Sequence, residues 1–158
     1  MPKVAVGGTF DPLHEGHKKL LERAIELARG ERLEVGITSD EMARRRLRFV
    51  LPYWIRVENL KRFLHRKGIE NVRIEKIEDA FGKTLEEDFD YLVVSPETEV
   101  TARKINEERV KRGMNEIKVV VVDWIIAEDG KPISSTRIRA GEIDRYGKVL
   151  EKRVGQGQ

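Results

Sequence analysis

The chain has 158 residues, with 31 lysines and arginines, 28 aspartates and glutamates, a net charge of +3 and no cysteine. Its length suits one domain with its own core, and the missing cysteines exclude a disulfide framework. No apolar stretch is long enough to cross a membrane and no signal segment precedes the first apolar run, so we expect a soluble, cytoplasmic protein.

The first apolar run, Lys3-Val4-Ala5-Val6, predicts a strand, and apolar residues at helical spacing over residues 20–28 predict the helix after it. The stretch between them, Gly7 to His17, is therefore expected to be a strand-to-helix loop. Its paired glycines would let the backbone approach a ligand, and free amides in the first helical turn, near Gly16 and His17, would favour a phosphate. The loop matches neither a P-loop nor a dinucleotide-binding glycine motif.

A dense basic cluster follows the second predicted strand, the alternating run Arg32 to Thr38. Ser39 and Asp40 offer capping groups for a short helix there. The cluster itself consists of Arg44, Arg45, Arg46 and Arg48. A solvated surface is the ordinary interpretation of such residues. Because they follow the C-terminal end of a strand, where ligands bind in α/β sheets, they also fit a clamp for an anionic substrate.

Three further strands and two helices are predicted in the middle of the chain. Pro52 starts a helix whose apolar residues we expect in the core: Tyr53, Trp54, Val57, Leu60, Phe63 and Leu64. The strands cover residues 72–77, 91–94 and 117–122, and the second helix runs from Ser95 to Gly113. Residues 78–88 lack clear periodicity and are expected to be a connector or, less commonly, a lid over a substrate.

Strands and helices thus alternate along the chain, which predicts an α/β fold. We expect a single-domain, doubly wound, Rossmann-like parallel sheet of about five strands with helices on both faces. The domain is expected to cover residues 1–154, followed by a frayed tail at residues 155–158. Since Lys, Arg and Glu are abundant and Asn and Gln are few, we also expect thermal stability above mesophile values.

The last informative stretch predicts a turn at Asp129-Gly130 and a helix that starts at Ser134-Ser135-Thr136. Arg137 and Arg139 lie in the same helix. Hydroxyls and free amides beside arginines suit a phosphate, although a capped helix with surface arginines is the purely structural alternative.

Two motifs of this chain resemble those of the H-x-G-H nucleotidyltransferase superfamily. One is Gly8-Thr9-Phe10 followed by His14-Glu15-Gly16-His17, and the other is Ile133-Ser134-Ser135-Thr136-Arg137-Ile138-Arg139. With Val94-Ser95-Pro96-Glu97-Thr98 and Ala127-Glu128-Asp129-Gly130, the chain resembles the archaeal type of phosphopantetheine adenylyltransferase along nearly its whole length. The resemblance implies transfer of AMP from ATP to 4′-phosphopantetheine, which gives dephospho-coenzyme A and pyrophosphate in coenzyme A biosynthesis.

The resemblance also implies tasks for the residues of the first motif. Thr9 would bind the attacking phosphate or the α-phosphate, beside a backbone shaped by Gly8 and Phe10. His17, and secondarily His14, would donate hydrogen bonds to oxygens of the α- and β-phosphates as charge moves onto the leaving pyrophosphate.

Other residues would bind the remaining phosphates. Nucleotide binding is implied for Gly16 and for a cradle around the β- and γ-phosphates made of Ser134, Ser135, Thr136 and Arg137. The incoming phosphate would be held where bacterial enzymes of this activity use a lysine, by one arginine among Arg44, Arg45 and Arg46. Mg²⁺ would come with ATP and keep much of its water, because the chain shows no dedicated carboxylate cage.

Three other functions remain open at this point. A sister enzyme would keep both end motifs but transfer AMP to nicotinamide mononucleotide, or CMP to an alcohol phosphate. A nucleic-acid-binding module is suggested by the pI near 9.2 and the arginine cluster, although no recognition helix or exposed aromatic platform is evident. A non-catalytic interaction protein would require that the intact phosphate motifs are vestigial. We therefore expect ATP and 4′-phosphopantetheine as partners, without nucleic acid or membrane, and the oligomeric state stays open.

The two histidines of the first motif also invite a zinc interpretation, because His14 and His17 are three positions apart. The chain offers no cysteine and only His65 as a further histidine, so a zinc site is not expected.

Overall fold

The computed structural model of the protein describes residues 2–151. The tail predicted at residues 155–158 lies outside the described residues. The strands are β1 (Lys3–Gly8), β2 (Arg32–Thr38), β3 (Val72–Ile77), β4 (Tyr91–Val94) and β5 (Lys118–Val121). The helices are α1 (Glu15–Ala28), α2 (Asp40–Arg44), α3 (Tyr53–Arg66), α4 (Glu99–Lys111) and α5 (Ser135–Arg139).

All five strands are parallel, and they lie side by side in the order β3-β2-β1-β4-β5. The chain builds outward from β1 in one direction and then returns to the other side of β1, as the predicted doubly wound sheet requires. At the centre, Val6 of β1 lies between Val35 of β2 and Val93 of β4. In such sheets ligands bind beyond the C-terminal strand ends at the point where the strand order reverses, which here is between β1 and β4.

Helices cover both faces of the sheet. Successive side chains of a strand point to opposite faces, so both faces carry apolar side chains that helices bury. Val4 and Val6 of β1 pack into a core that they share with α1 and α3. Ala5, between them, packs into a separate core with Ala102 and Ile105 of α4. The predicted fold class, an α/β sheet with helices on both faces, is confirmed.

Residues 78–90 cover part of the α4 face, where the described chain has no helix between β3 and β4. Phe81 packs against the core of this face. The buried guanidinium of Arg109 holds the segment, since its Nη1 donates to the carbonyls of Thr84 at 2.6 Å and Glu87 at 2.9 Å. This anchoring favours the connector interpretation over that of a lid.

Four details differ from the sequence-based expectation. α4 begins at Glu99 and ends at Lys111, inside the predicted range Ser95 to Gly113. Gly7 and Gly8, expected in a loop, belong to β1 and pair with β2. Trp54, expected in the core, is 66% exposed, whereas Arg56 occupies a buried position on α3. β5 begins and ends one residue inside the predicted range. Within residues 2–151, every helix falls short of the length and apolar character that a bilayer crossing requires.

Candidate active site

Two histidines cap the N-terminal end of α1, next to the C-terminal end of β1. His14 is the N-cap residue, and its Nδ1 accepts hydrogen bonds from the amides of Gly16 at 3.0 Å and His17 at 3.3 Å. In return, Nδ1 of His17 accepts from the amide of His14 at 3.3 Å. This reciprocal pattern is a capping box in which imidazoles replace the usual hydroxyl and carboxylate. Because both Nδ1 atoms accept, each neutral ring carries its proton on Nε2.

The two imidazoles are stacked, with ring centroids 3.7 Å apart, and the ring of Phe10 meets His17 edge-on at 5.1 Å. A Cβ on Gly16 would lie 2.8 Å from Cε1 of His14, so only glycine leaves room for this ring over the first turn. A Cβ on Gly8 would lie 3.1 Å from the Phe10 ring. The glycines of the motif thus give space to aromatic rings, and the stacking and capping contacts hold both imidazoles in place.

The amides of the first turn of α1 are not free, so this part of the sequence-based expectation is wrong. The amides of Gly16 and His17 donate to His14, and the amide of Glu15 donates to the carbonyl of Arg145 at 3.2 Å. The donors that this turn can offer a phosphate are therefore imidazole Nε2–H groups. Gly16 contributes by its lack of a side chain, not by its amide.

Both histidines are neutral near pH 7. Burial lowers the pKa of His14 to about 4. The pKa of His17 also lies well below its usual value, chiefly because of burial and secondarily because of the neighbouring His14, with the Pro12 carbonyl acting in the opposite direction. Part of His17 nevertheless stays exposed to solvent. The pair can therefore donate hydrogen bonds to an anion without carrying a positive charge itself.

The first loop and the last helix meet at an ion pair between Asp11 and Arg139. Asp11 is fully buried, and its Oδ2 also accepts from the amide of Leu51 at 2.6 Å. The guanidinium of Arg139 lies 5.7 Å from the ring centroid of Phe49. The two sequence motifs, which stand at opposite ends of the chain, are thus side by side in the fold.

Arg137, expected to add charge to the phosphate cradle, is engaged elsewhere in this structure. Its guanidinium pairs with the carboxylates of Asp129 and Glu142, the latter at 3.0 Å, and donates to the carbonyl of Pro132 at 3.0 Å. These contacts hold the turn that leads into α5. The structure brings Arg139, not Arg137, to the first loop, because residues two positions apart on a helix do not share a face.

The hydroxyl groups at the start of α5 take different roles. The helix starts in the predicted run, where Ser134 is the N-cap residue and its Oγ accepts from the amide of Arg137 at 3.2 Å. The hydroxyls of Ser135 and Thr136 make no side-chain hydrogen bond to any residue in the range 2–151. These two hydroxyls are the groups of α5 that remain available to a ligand.

The arginine cluster lies at the end of α2 and in the loop after it. Ser39 caps α2 by accepting from the amide of Met42 at 3.1 Å, as predicted. Arg44, Arg45 and Arg46 are all exposed, and Arg46 pairs with Glu97 in the loop between β4 and α4. This pair links the cluster to the strand end beside β1. Among the described residues, Arg44 and Arg45 form no ion pair.

Sequence reasoning missed a buried arginine beneath the first loop. Arg56 of α3 is fully buried, and its Nη1 donates to the carbonyl of Thr9 at 3.2 Å. A signal was present in the sequence, because Arg56 stands at helical spacing between Tyr53 and Leu60, on the stripe that faces the core. A charged residue on such a stripe is rarely buried without partners.

The donor set does not provide a metal cage. Within the described part of the chain, no group of three or more histidines and carboxylates is arranged to hold a metal ion. His14 and His17 use their Nδ1 atoms to cap α1, which leaves only Nε2 on each ring.

Comparisons with known proteins place these features in context. The sequence profile of the family described as Cytidylyltransferase-like matches residues 5–141. A phosphopantetheine adenylyltransferase of Archaeoglobus fulgidus is 59% identical over 148 residues, covering 94% of this chain and 99% of the relative. One of Methanosarcina mazei is 47% identical over 154 residues, covering 96% and 99%. A solved structure described as a protein with unknown function from Archaeoglobus fulgidus has a TM-score of 0.73 and 54% identity, covering 78% of this chain and 100% of that one.

Proposed function

The chain belongs to the cytidylyltransferase-like family, and we propose that it transfers AMP from ATP to 4′-phosphopantetheine, giving dephospho-coenzyme A and pyrophosphate. The two relatives named phosphopantetheine adenylyltransferase match nearly the full length of the chain, at 59% and 47% identity. The observation that carries the proposal is the ion pair of Asp11 with Arg139, because it joins both phosphate motifs at the strand ends where ligands bind.

The proposed reaction needs positioning and charge stabilisation more than proton transfer. An oxygen of the phosphopantetheine phosphate attacks the α-phosphorus of ATP, and the bond from that phosphorus to the bridging oxygen of the β-phosphate breaks. Pyrophosphate leaves with the electron pair of this bond. The attacking phosphate is already anionic near neutral pH, so no general base is required. Alignment of the two polyanions accounts for most of the rate acceleration over the uncatalysed reaction.

The first motif would stabilise the charge that develops during this step. His17, and secondarily His14, donate their Nε2–H groups to oxygens of the α- and β-phosphates. Their fixed directions and burial make them preorganised donors, which are worth more than mobile ones in water. Thr9 donates its hydroxyl to the attacking phosphate or the α-phosphate.

The last helix would bind the outer end of the triphosphate. Ser135 and Thr136 donate their hydroxyls to the β- and γ-phosphates, and Ser134 shapes the turn as the N-cap. Among the described residues Arg139 makes one side-chain hydrogen bond, to Asp11 at the first loop, so its other N–H groups would donate to the phosphates. Arg137 instead keeps the turn in position through its two carboxylate partners. Mg²⁺ would be carried by the triphosphate and by water, where it would neutralise charge on the phosphate oxygens.

The arginine cluster would hold the phosphate of the acceptor. Arg44 and Arg45 form no ion pair among the described residues, so their guanidinium groups are available for bidentate contacts to a phosphate. Arg46, paired with Glu97, would connect the cluster to the loop after β4. We place the reaction in the cytoplasm, where ATP is abundant.

The proposal is tested by pyrophosphate release from ATP with and without 4′-phosphopantetheine. The protein should release pyrophosphate only when the acceptor is present, and dephospho-coenzyme A should accumulate in equal amount. Nicotinamide mononucleotide with ATP, and an alcohol phosphate with CTP, serve as the competing substrate pairs. Faster release with either pair would instead assign the chain to a sister activity of the same family.

One observation favours a second candidate, a nucleic-acid-binding surface. No exposed aromatic platform is evident from the sequence, but Phe49 is 67% exposed and Trp54 is 66% exposed in the structure. Both are close in sequence to Arg44, Arg45 and Arg48. Aromatic rings beside arginines can stack on unpaired bases. Gel retardation of single-stranded DNA and RNA at about 0.15 M salt separates the two functions, because the adenylyltransferase should leave both unretarded.

A further inference from the structure

Arg56 has the most complete set of hydrogen-bond partners of any guanidinium near the first loop. Its Nε donates to the carbonyl of Leu51 at 2.8 Å, and its Nη2 donates to Oδ1 of Asp40 at 2.9 Å. Its Nη1 donates to the carbonyl of Thr9 and to Oγ1 of Thr38, both at 3.2 Å. The side chain is fully buried, so these contacts compensate for the loss of water around the charge.

The partners of Arg56 lie on segments that surround the phosphate motif. Thr9 directly follows β1, Thr38 ends β2, Asp40 begins α2 and Leu51 precedes α3. One rigid guanidinium therefore sets the relative positions of these segments. A lysine could not do so, because its single ammonium group lacks the fork of donors that reaches several acceptors at once.

Arg56, Thr38 and Thr9 form a chain of hydrogen bonds in which each side chain donates to the next. A guanidinium can only donate, so Thr38 accepts from Arg56 through its hydroxyl oxygen. Thr38 then donates its own hydroxyl proton to Oγ1 of Thr9 at 2.9 Å. Since Thr9 accepts in this bond, its hydroxyl proton is left to point away from Thr38. Thr9 Oγ1 makes no other side-chain hydrogen bond among the described residues, so this proton is available to a ligand.

We propose that Arg56 is a positioning residue that acts through Thr38 to direct the hydroxyl proton of Thr9 toward the substrate phosphate. The proposal rests on the proposed function, because it assigns the source of one preorganised donor in that reaction. A hydroxyl that is already oriented does not have to reorganise as charge develops. Arg56 itself touches no substrate, and Thr38 transmits its effect.

The decisive variant is Thr38→Val, which keeps the size of the side chain and removes only the hydroxyl. Thr38→Ser restores the hydroxyl, and Thr101→Val on α4 is the matched control for a threonine outside the site. The same Thr38→Val change is also made in a Thr9→Val background, so that a double-mutant cycle measures whether the effect passes through Thr9. Arg56→Lys is a further variant, which retains the charge beside Asp40.

Each protein is assayed for kcat and for KM of both substrates, and its melting temperature is recorded. We expect Thr38→Val to lower kcat about tenfold, the effect of losing one oriented hydrogen bond, with both KM values within about twofold. Thr38→Ser should recover kcat to within about twofold, and Thr101→Val should not change it. In the Thr9→Val background, Thr38→Val should have no further effect. Arg56→Lys should also lower kcat, and Thr38→Val should add little to it.

Two results would overturn the inference while leaving the proposed function intact. One is an active chain whose kcat is insensitive to Thr38→Val. The other is that Thr38→Val lowers kcat equally in the otherwise unmodified chain and in the Thr9→Val variant. If the unmodified chain transfers no AMP to 4′-phosphopantetheine, the proposed function fails and this inference fails with it.

Discussion

Arg139, in the last helix, forms an ion pair with Asp11, which lies 128 positions earlier in the chain. Asp11 is fully buried and also accepts from the amide of Leu51. One carboxylate thus joins the loop after β1, the loop before α3 and the helix α5. The relative positions of the two phosphate motifs depend on this contact.

Replacement of Asp11 by Asn should therefore disturb both stability and activity. Asn keeps the size of the side chain but removes the charge opposite Arg139. Because Arg139 is about one third exposed, we expect a loss of ~2–3 kcal/mol in the free energy of unfolding, at or below the range for fully buried pairs. Urea denaturation measures it. Glu97→Gln, which breaks the exposed pair with Arg46, is the control and should cost less than ~1 kcal/mol. Equal losses in the two variants would contradict the structural role of Asp11.

Substitution of the two histidines should affect different properties, because His17 contributes to turnover whereas His14 also stabilises the protein as the cap of α1. We expect His17→Ala to lower kcat by about 10²-fold or more while the protein stays folded, the usual effect of losing one preorganised donor. His14→Ala should additionally destabilise the protein by ~1 kcal/mol, because it removes the cap of α1. His14→Asn restores a capping acceptor and should recover stability but not full turnover. Near-normal kcat in His17→Ala would remove the mechanism.

Gly16→Ala should be more harmful than its small size suggests. The added Cβ would lie 2.8 Å from Cε1 and 3.0 Å from Nδ1 of His14, so the imidazole must move from its stacked position. We expect lower kcat together with a lower melting temperature. Glu15→Ala, one residue earlier, has no such contact and should retain activity. An unchanged kcat in Gly16→Ala would show that the position of the His14 ring is unimportant.

Stability should fall as the pH decreases from about 6.5 toward about 4. The folded protein holds the pKa of His14 near 4, whereas an unfolded imidazole titrates near 6.5, so the unfolded state takes up the proton first. His14 alone should contribute about 3 kcal/mol to this change, and His17 acts in the same direction. Urea denaturation at about pH 7.5 and about pH 5 checks it. By pH 5, where most carboxylates are still ionised, about 2 kcal/mol of the His14 contribution should be lost. His14→Asn should show a smaller difference, and equal stability of the unmodified protein at both pH values would refute neutral, buried imidazoles.

The arginine cluster should affect the acceptor more than the nucleotide. We expect Arg44→Gln and Arg45→Gln each to raise KM for 4′-phosphopantetheine about fivefold or more, with KM for ATP within about twofold, because a lost phosphate contact weakens binding of that substrate alone. Arg46→Gln should have a smaller effect, since Arg46 already pairs with Glu97. Arg62→Gln, an exposed arginine on α3, is the control. Similar effects on both substrates would place the acceptor phosphate elsewhere.

Local patterns in the sequence were sufficient for most of the fold. The bounds of β2, β3 and β4 agree with the predicted runs, because alternating or continuous apolar residues report directly on burial in a sheet. The runs Ser39-Asp40 and Ser134-Ser135-Thr136 were recognised as helix starts for the same local reason. The alternation of strands and helices then left few topologies, and the doubly wound sheet is one of them.

The details of the site depend on contacts that local patterns do not encode. A histidine is an unusual N-cap, so the capping box of His14 and His17 could not be inferred from capping preferences. Which arginine of α5 meets the first loop depends on how this helix is rotated against Asp11. The burial of Arg56 and the exposure of Trp54 likewise follow from the rotation of α3 against the sheet, which the spacing of apolar residues fixes only approximately.

The most direct test of the site is a crystal structure of the protein with Mg²⁺ and α,β-methylene-ATP, an analogue that cannot transfer its adenylyl group. We expect one triphosphate in contact with both ends of the chain, its α- and β-phosphates near Nε2 of His17 and its β- and γ-phosphates at the hydroxyls of Ser135 and Thr136. A triphosphate that touches only one of the two motifs, or lies on another face of the sheet, would contradict the proposed site.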